Sequence, residues 1–295
     1  MPLHSYNYRG ETETLDDAAR AALPGQFVAL PDGVVHYELA GPPGGPVVVL
    51  VPGISVPYTT WDANFPVLAN AGLRVLRFDL YGRGYSDRPD VVYDIDLFDR
   101  QIANLLSALG LSDPISLVGL SMGGAIVTHF AARRPERMRR LVLIDPLSAI
   151  PAATLAVKMV LAPGFGERLI DWFGNRILVG GQSQDFHRPE LVAEFQEKYR
   201  PPMKYRGFKN AILSTVRSIP GWHIAEVYEQ VGRAQYPVLL FWGRQDRAIP
   251  FETHRRVQAV IPRAEFHAID NAGHVPHVEQ PDALNSLLIE FLCRD

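Results

Sequence analysis

Residues 115–134 read ISLVGLSMGGAIVTHFAARR, and the change of pattern within this stretch decides the fold. The first five residues form a short apolar run that is typical of a buried strand, and a helix is predicted from Ser121 until Pro135 ends it. At the junction, Gly119, Ser121 and Gly123 match the pattern G-x-S-x-G. The serine is therefore expected on a sharp strand-to-helix turn, where only tiny residues fit two positions before and after it.

The same alternation of strands and helices continues on both sides of this turn. Continuous apolar runs indicate strands that are buried on both faces, as in a parallel sheet. Strands are predicted at residues 46–51, 73–78, 115–119, 141–145, 237–243 and 264–269, and two more at residues 26–30 and 34–40. Helices are predicted at residues 94–109, 121–134 and 281–293. This order implies an α/β fold with a mostly parallel central sheet and helices on both faces.

The alternation breaks between Leu147 and Tyr236, where no clear buried strand occurs. This stretch is rich in Pro, Gly, Arg and aromatic residues, so we interpret it as several short helices inserted before the last two strands. The expected organisation has three parts: an N-terminal extension at 1–25, a core made of 26–146 and 237–295, and a helical cap at 147–236.

Composition and charge narrow the functional classes only slightly. The chain has 29 basic and 32 acidic residues, so its formal net charge of -3 gives no electrostatic reason to expect nucleic acid or an anionic membrane as a partner. The single cysteine, Cys293, cannot form an intramolecular disulfide, which favours a reducing compartment. The N-terminus lacks the apolar stretch of a secretion signal, and no run approaches the ~20 apolar residues of a membrane helix. We expect a cytoplasmic protein that acts on a small molecule.

A serine is a poor nucleophile unless a nearby base takes its proton. The chain has 9 histidines. His274 is the favoured base because it follows the turn at residues 270–273, directly after the last predicted strand, and Asn and Gly suit a tight turn that presents one side chain. His277 lies on the same loop and is the closest rival.

The imidazole of a base needs a carboxylate to orient it. Asp246 follows the predicted strand at 237–243 and is the expected partner. The order Ser121, Asp246, His274 along the chain is the order expected on this type of fold. Asp145, at the end of the strand at 141–145, is the alternative, although its place before the cap also suits a hinge or a pocket wall.

Two backbone N–H groups are candidates for stabilising a developing oxyanion. Met122 opens the predicted helix, and the N-terminus of a helix favours negative charge. Ile54 lies in the loop after the strand at 46–51, where Gly53 is expected to let the backbone turn sharply. Each donor of this kind is typically worth ~3 kcal/mol of transition-state stabilisation.

Together these segments resemble the α/β-hydrolase fold superfamily, specifically its capped, esterase-like serine hydrolases. VPGIS (51–55) is similar to the oxyanion loop of that family, and GLSMGG (119–124) to its nucleophile elbow. WGRQDRAIP (242–250) and NAGHVPHVEQP (271–281) are similar to its acid and histidine loops. DLYGRGYSDRP (79–89) resembles its D-x-x-G-x-G-x-S loop, which we interpret as scaffold, and the positions that match are Asp79, Gly82, Gly84 and Ser86.

One position departs from the family pattern. Members commonly have His-Gly in the oxyanion loop, whereas this chain has Pro52 before Gly53. The N–H of Ile54 is still present as a donor, because it does not depend on the residue at position 52. The sequence does not tell which hydrogen bonds brace the loop in place of those of the histidine.

The resemblance implies a carboxylesterase-like serine hydrolase that works through an acyl-enzyme and needs no metal or organic cofactor. Lactone hydrolysis and C–C bond hydrolysis on the same triad remain alternatives, as does a non-catalytic receptor for a small ligand. Arg188 and Arg206 of the cap are candidates for binding a substrate carboxylate. Six aromatic residues of the cap line either the cleft or the cap's own core: Phe165, Trp172, Phe173, Phe186, Phe208 and Trp222.

Overall fold

The computed structural model describes residues 6, 8–111, 114–150 and 155–294, without the side chains of residues 155 and 156. Residues 1–5 and 7 of the predicted extension and residues 151–154 of the predicted cap lie outside this description. The strands are β1 (Gln26–Leu30), β2 (Gly33–Ala40), β3 (Val47–Val51), β4 (Arg74–Phe78), β5 (Ile115–Leu120), β6 (Met138–Ile144), β7 (Val238–Gly243) and β8 (Glu265–Ile269).

These eight strands form one sheet in the order β1-β2-β4-β3-β5-β6-β7-β8. β2 pairs antiparallel with β1 and with β4, whereas all other neighbouring strands pair in parallel. The mostly parallel sheet predicted from the sequence is therefore confirmed. β6 begins three residues earlier than predicted because Met138 pairs with Ile115 at the start of β5.

Helices connect the strands and cover the sheet. They are α1 (Asp17–Ala21), α2 (Phe65–Asn70), α3 (Ile95–Ala108), α4 (Met122–Arg133), α5 (Leu155–Leu161), α6 (Phe165–Asp185), α7 (Val192–Tyr199), α8 (Phe208–Ser218), α9 (Ile224–Arg233), α10 (His254–Val260), α11 (Pro276–Glu279) and α12 (Pro281–Cys293). None of them, within the described residues, is long and apolar enough to cross a membrane.

Two apolar clusters lie on opposite faces of the sheet, as the side chains of β3 illustrate. Val49 and Val51 belong to a large cluster that contains residues of α3 and α4. Val48 and Leu50 belong to a second cluster, which contains Leu284 of α12. Because successive side chains of a strand point to opposite faces, helices cover both faces of the sheet. Loops therefore gather at the carboxyl ends of the parallel strands, where ligands bind in sheets of this kind.

The inserted helices α5–α9 lie between β6 and β7, where the cap was predicted. One of them does not belong to a separate layer. Helix α9 packs on α4, and its residues Val227, Tyr228 and Val231 enter the large cluster of the sheet. These residues lie three and four positions apart and so form one apolar face of the helix. The last part of the predicted cap, at 224–233, thus packs on the core of the sheet.

The N-terminal extension packs against the cap through a buried carboxylate. Glu11 is buried, and its two oxygens accept hydrogen bonds from the N–H groups of Gly207 and Lys209, each at 2.7 Å. These N–H groups lie at the start of α8, where a helix has unpaired donors and favours negative charge. Glu13 adds a parallel bridge to Tyr205. The extension thus holds the N-terminal end of α8 in place.

We expect Glu11→Ala to destabilise the protein, because it leaves two buried N–H groups without an acceptor. The free energy of unfolding, measured by urea denaturation followed by circular dichroism, should fall by about 1–3 kcal/mol. Glu13→Ala is the matched control, since it removes only a half-exposed ion pair with Lys204, and it should cost less than about 1 kcal/mol. Equal losses in the two variants would contradict this role for Glu11.

Candidate active site

Ser121 lies on the turn between β5 and α4 in a strained backbone conformation. Its φ is 54° and its ψ is -119°, a region that residues with a side chain rarely adopt. Three main-chain hydrogen bonds hold it there. The N–H of Ser121 donates to the carbonyl of Ile144, and its carbonyl accepts from Gly124 and Leu147, all at 2.9 Å. The residues after β6 thus help to fix the turn that presents the serine.

The glycines around Ser121 are required by close backbone contacts. A Cβ atom at Gly119 would lie 2.5 Å from the carbonyl oxygen of Gly123. A Cβ atom at Gly123 would lie 2.4 Å from the carbonyl oxygen of Val51. A Cβ atom at Gly124 would lie 2.6 Å from the Cβ of Pro146. These separations are well inside van der Waals contact, so the steric reason predicted for the G-x-S-x-G pattern is confirmed.

His274 and Asp246 are hydrogen-bonded neighbours at the same edge of the sheet. Nδ1 of His274 lies 2.8 Å from Oδ2 of Asp246. The other oxygen of Asp246 accepts from the N–H groups of Ala248 and Ile249, at 2.8 and 2.9 Å. The N–H of His274 donates to the carbonyl of Asp185 at 2.7 Å, which fixes the histidine loop against the end of α6. The imidazole is therefore oriented through both its side chain and its main chain.

Several opposing effects act on the pKa of His274. Burial alone lowers this pKa, but the hydrogen bond and charge of Asp246 raise it, and so does the charge of Asp185. The pKa of His274 therefore lies above its usual value. Since a general base acts in its neutral form, activity that depends on His274 would be lost as the pH falls through this pKa.

Ser121 and His274 face a common cavity of about 280 Å³, which is at the small end of ligand-binding pockets. Residues of the oxyanion loop, the nucleophile turn, the cap and the two loops after β7 and β8 line it: Gly53, Ile54, Ser55, Val56, Leu120, Ser121, Met122, Leu147, Asp185, Ile219, Ala248, Ile249, His274 and Val275. Within the described residues, the N–H groups of Ile54 and Met122 donate to no protein acceptor. Both N–H groups are therefore available to a ligand in the cavity.

The oxyanion loop is braced by a buried arginine. Nε of Arg83 donates to the carbonyl of Ile54 at 2.7 Å, and its other nitrogens donate to the carbonyl of Tyr81 at 3.0 Å and to the hydroxyl of Thr215 at 2.8 Å. Thr215 belongs to α8, so one guanidinium joins the loop to the cap. Burial lowers the pKa of Arg83 to about 10, which leaves it charged at neutral pH. These hydrogen bonds of Arg83 brace the loop that has Pro52 where family members commonly have His.

Gly53 plays a different part from the one predicted. Its φ is not positive, and a Cβ atom there would lie 3.6 Å from the Cβ of Ser121, an ordinary contact. The loop therefore packs directly on the serine, but it does not need the conformational freedom of glycine to turn. The expectation that Gly53 enables a sharp turn was wrong.

The rival histidine lies in a different environment. His277 is buried against Trp61, with its Nε2 at 3.0 Å from the hydroxyl of Thr60, and it does not line the cavity. Burial, with a contribution from the charge of His274, lowers the pKa of His277 to about 3, so this imidazole stays neutral. Its surroundings indicate a structural role.

The rival carboxylate lies beside the favoured one. Oδ1 of Asp145 accepts from the N–H of Gly243 at 2.9 Å, and oxygen or nitrogen atoms of Asp145, Asp246 and His274 lie within 4.8 Å of one another. Burial, followed by the charge of Asp246, raises the pKa of Asp145 well above its usual range. Three such groups would suit a metal ion by distance alone, but His274 and Asp246 are already joined by a hydrogen bond. Only Asp246 is paired with the imidazole.

The aromatic residues of the cap do not line the cavity. Half of them are buried in packing clusters: Phe186, Phe208 and Trp222. The other half are 52–62% exposed: Phe165, Trp172 and Phe173. The two predicted arginines are also absent from the cavity wall, because Arg188 donates to Glu190 and to the carbonyl of Glu279, and Arg206 is exposed. Neither arginine therefore lies where it could bind a carboxylate group of a ligand in this cavity.

Two residues of the site had no clear signal in the sequence. Asp185 is brought to the cavity by the end of α6, and its position depends on how the cap packs on the histidine loop. Arg83 lies within the D-x-x-G-x-G-x-S loop, but at one of its unspecified positions. A buried arginine with only neutral acceptors cannot be inferred from local sequence.

Comparison with known proteins agrees with this architecture. A family model described as alpha/beta hydrolase fold matches residues 46–281. The 2-hydroxymuconate semialdehyde hydrolase of Pseudomonas sp. (strain CF600) is 31% identical over 252 residues, which cover 82% of this chain and 83% of the relative. The 2-hydroxy-6-oxononadienedioate/2-hydroxy-6-oxononatrienedioate hydrolase 1 of Dechloromonas aromatica (strain RCB) is 28% identical over 295 residues, which cover 95% of this chain and 98% of the relative.

Solved structures show the same fold. The crystal structure of the enol-lactonase from Burkholderia xenovorans LB400 superposes with a TM-score of 0.78 at 22% identity, covering 91% of this chain and 100% of that chain. Since the family model spans most of the sequence and the sheet has the same architecture, the chain belongs to the α/β-hydrolase fold family, and it is a hydrolase.

Proposed function

We propose that this hydrolase cleaves small carboxylic esters or lactones through an acyl-enzyme, with Ser121 as nucleophile, His274 as base and Asp246 as its orienting acid. One observation carries the proposal. A single small cavity contains the serine, the oriented imidazole and two unpaired N–H groups, those of Ile54 and Met122. These are the parts that acyl transfer requires.

The reaction follows from the position of each group. Ser121 attacks the carbonyl carbon of the substrate while Nε2 of His274 takes the hydroxyl proton. The carbonyl oxygen becomes an oxyanion and accepts hydrogen bonds from Ile54 and Met122. The imidazolium then gives its proton to the leaving alkoxide, which departs as an alcohol. Water, deprotonated by the same imidazole, attacks the acyl-enzyme and releases the acid and the free serine.

Asp246 supports the imidazole in this scheme. Its carboxylate accepts the Nδ1–H of His274, which selects the tautomer with a free Nε2 and stabilises the imidazolium when it forms. The N–H groups of Ala248 and Ile249 hold the carboxylate in place. The acid therefore acts through His274 and has no contact with the substrate.

Cleavage of C–C bonds is the second candidate, and the relatives favour it. The two sequence relatives described above are hydrolases whose names describe a semialdehyde and dioates. A chain about 30% identical to them can share their chemistry, because the same serine and histidine serve ester and C–C bond hydrolysis on this fold. We place ester and lactone cleavage first because none of the described residues that line the cavity is a Lys or Arg that could bind the carboxylate groups of a dioate.

The nucleophile is tested by Ser121→Ala. The kcat for a short-chain p-nitrophenyl ester should fall by at least ~10⁴, because no other group can form the acyl-enzyme. A fluorophosphonate probe should label the wild type and fail to label the variant. Ser286→Ala, which changes an exposed hydroxyl on α12, is the control and should behave as wild type. Labelling and turnover that persist in Ser121→Ala would discard the assignment.

The two histidines of one loop are separated by a matched pair of variants. His274→Gln should lower kcat by ~10⁴ or more, because the serine loses its base. His277→Gln should keep kcat but lower the free energy of unfolding by about 1–3 kcal/mol, because its buried contacts with Thr60 and Trp61 are disturbed. Steady-state kinetics and urea denaturation measure the two effects. The reverse pattern would make His277 the base.

The brace on the oxyanion loop is tested at Arg83. Arg83→Met removes the donor to the carbonyl of Ile54, so the N–H of Ile54 loses its orientation, and kcat should fall by ~10²–10³ with little change in KM. Thr215→Val is the control, because it removes the contact between Arg83 and the cap, together with a hydrogen bond inside α8, and leaves the donor to Ile54 in place. It should lower the melting temperature without a comparable loss of kcat. An equal loss of kcat in both variants would assign the effect to the cap.

A further inference from the structure

The charges around the cavity are unevenly distributed. Two ionisable side chains line it, those of His274 and Asp185, and none of the described lining residues is Lys or Arg. Residues 151–156, which read PAATLA, contain no basic residue. Among the described residues that line the cavity, Asp185 is thus the one acidic residue, and His274 is the one residue that can carry a positive charge.

The main chain of Asp185 is firmly held. Its carbonyl accepts the N–H of His274 at 2.7 Å, and a Cβ atom at Gly273 would lie only 2.5 Å from the same carbonyl oxygen. The end of α6 and the histidine loop are thus in direct contact. Asp185 therefore lines the cavity beside His274, and the charges of the two side chains act on each other.

The side chain of Asp185 lacks the hydrogen bonds that its neighbour has. Asp246 accepts from Ala248, Ile249 and His274. No described group donates to the carboxylate of Asp185, although the residue is half-buried. Burial raises the pKa of Asp185 to about 6, with the charge of His274 opposing the rise, so the group is mostly ionised at pH 7.5. A partly desolvated carboxylate with free acceptor positions favours a ligand that donates hydrogen bonds.

The buried cation behind the oxyanion loop does not offset the charge of Asp185. Arg83 lies behind the oxyanion loop and uses its nitrogens on Ile54, Tyr81 and Thr215, and it does not line the cavity. A carboxylate on the substrate would therefore face Asp185 without a counter-ion. Like charges in a small, partly desolvated cavity disfavour binding.

We propose that Asp185 determines the substrate class: the cavity selects small esters or lactones that carry an ammonium or hydroxyl group and rejects those that carry a carboxylate. This inference rests on the proposed function, because it assigns the cavity around Ser121 to the substrate. Asp185 touches the part of the substrate that does not react. It is thus a specificity-determining residue, distinct from the triad.

Three p-nitrophenyl esters of nearly equal size test the proposal. The esters of butyric acid, β-alanine and succinic acid end in a methyl, an ammonium and a carboxylate group respectively. At pH 7.5 the wild type should show a kcat/KM for the β-alanine ester at least ~10² times that for the succinate ester, because Asp185 attracts the ammonium group and repels the carboxylate group. The butyrate ester should fall between them.

The same three esters are then measured with Asp185→Asn, which keeps the size of the side chain. The ratio between the β-alanine and succinate esters should fall at least ~10-fold, as expected from the loss of one nearby charge. The butyrate ester serves as the uncharged reference, so that an effect of the lost charge on His274 itself cancels in the ratio. Asp282→Asn is the matched control, because it removes the same charge from an exposed position on α12, and it should keep the wild-type ratio.

A binding measurement separates failure of this inference from failure of the proposed function. The melting temperature of Ser121→Ala protein is recorded with n-butylammonium or with butyrate at equal concentrations. The ammonium ion should raise it, butyrate should not, and Asp185→Asn should remove the difference. If no ester is cleaved, the proposed function fails while this measurement still decides the role of Asp185. Comparable cleavage of the succinate and β-alanine esters, or equal stabilisation by both ions, would overturn the inference.

Discussion

The site depends on the close approach of the nucleophile turn to the end of β3. Gly123 lies against the carbonyls of Val51 and Pro52, so close that a Cβ atom would lie 2.4 and 2.5 Å from their oxygens. This contact places the first turn of α4 beside the oxyanion loop. It also forces Ser121 into its positive φ, and the hydrogen bonds from the residues around it compensate for the strain. The other parts of the cavity are arranged around this contact.

The parallel register of the sheet brings the remaining groups to the same edge. β5, β6 and β7 are neighbours and end together, so Ser121, Asp145 and Asp246 emerge side by side. β8 ends next to β7, and its loop returns His274 to Asp246. Four loops that are distant in sequence thus meet because the strands before them are parallel. A sheet with antiparallel neighbours at this point would separate them.

Local sequence was sufficient for the features that depend on backbone chemistry. The strands, the nucleophile turn and the loops of Asp246 and His274 follow from apolar runs, glycines and turn residues, because these patterns act over a few neighbouring positions. Short helices such as α2 were not predicted from the sequence. α2 buries only Leu68 among its six residues, so it has no periodic apolar face.

Features that depend on tertiary packing could not be predicted. Arg83 and Asp185 act through contacts with residues far away in the sequence. The cap shows the same limit. Its aromatic residues divide between interior and surface according to how α6 and α8 pack, and composition carries no information about that packing. The apolar face of α9 could pack on the cap or on the sheet, and its contact with α4 follows from the tertiary structure alone.

The guanidinium of Arg83 has a consequence for how the protein can move. It is completely buried and bonds at the same time to Ile54 and to Thr215 of α8. A swing of α8 away from the sheet would leave this cation without one of its acceptors in an apolar surrounding, which is costly. Glu11 fastens the other end of the same helix. Both ends of α8 are therefore tied to other parts of the protein, and moving this helix costs more than moving a segment of the cap without such contacts.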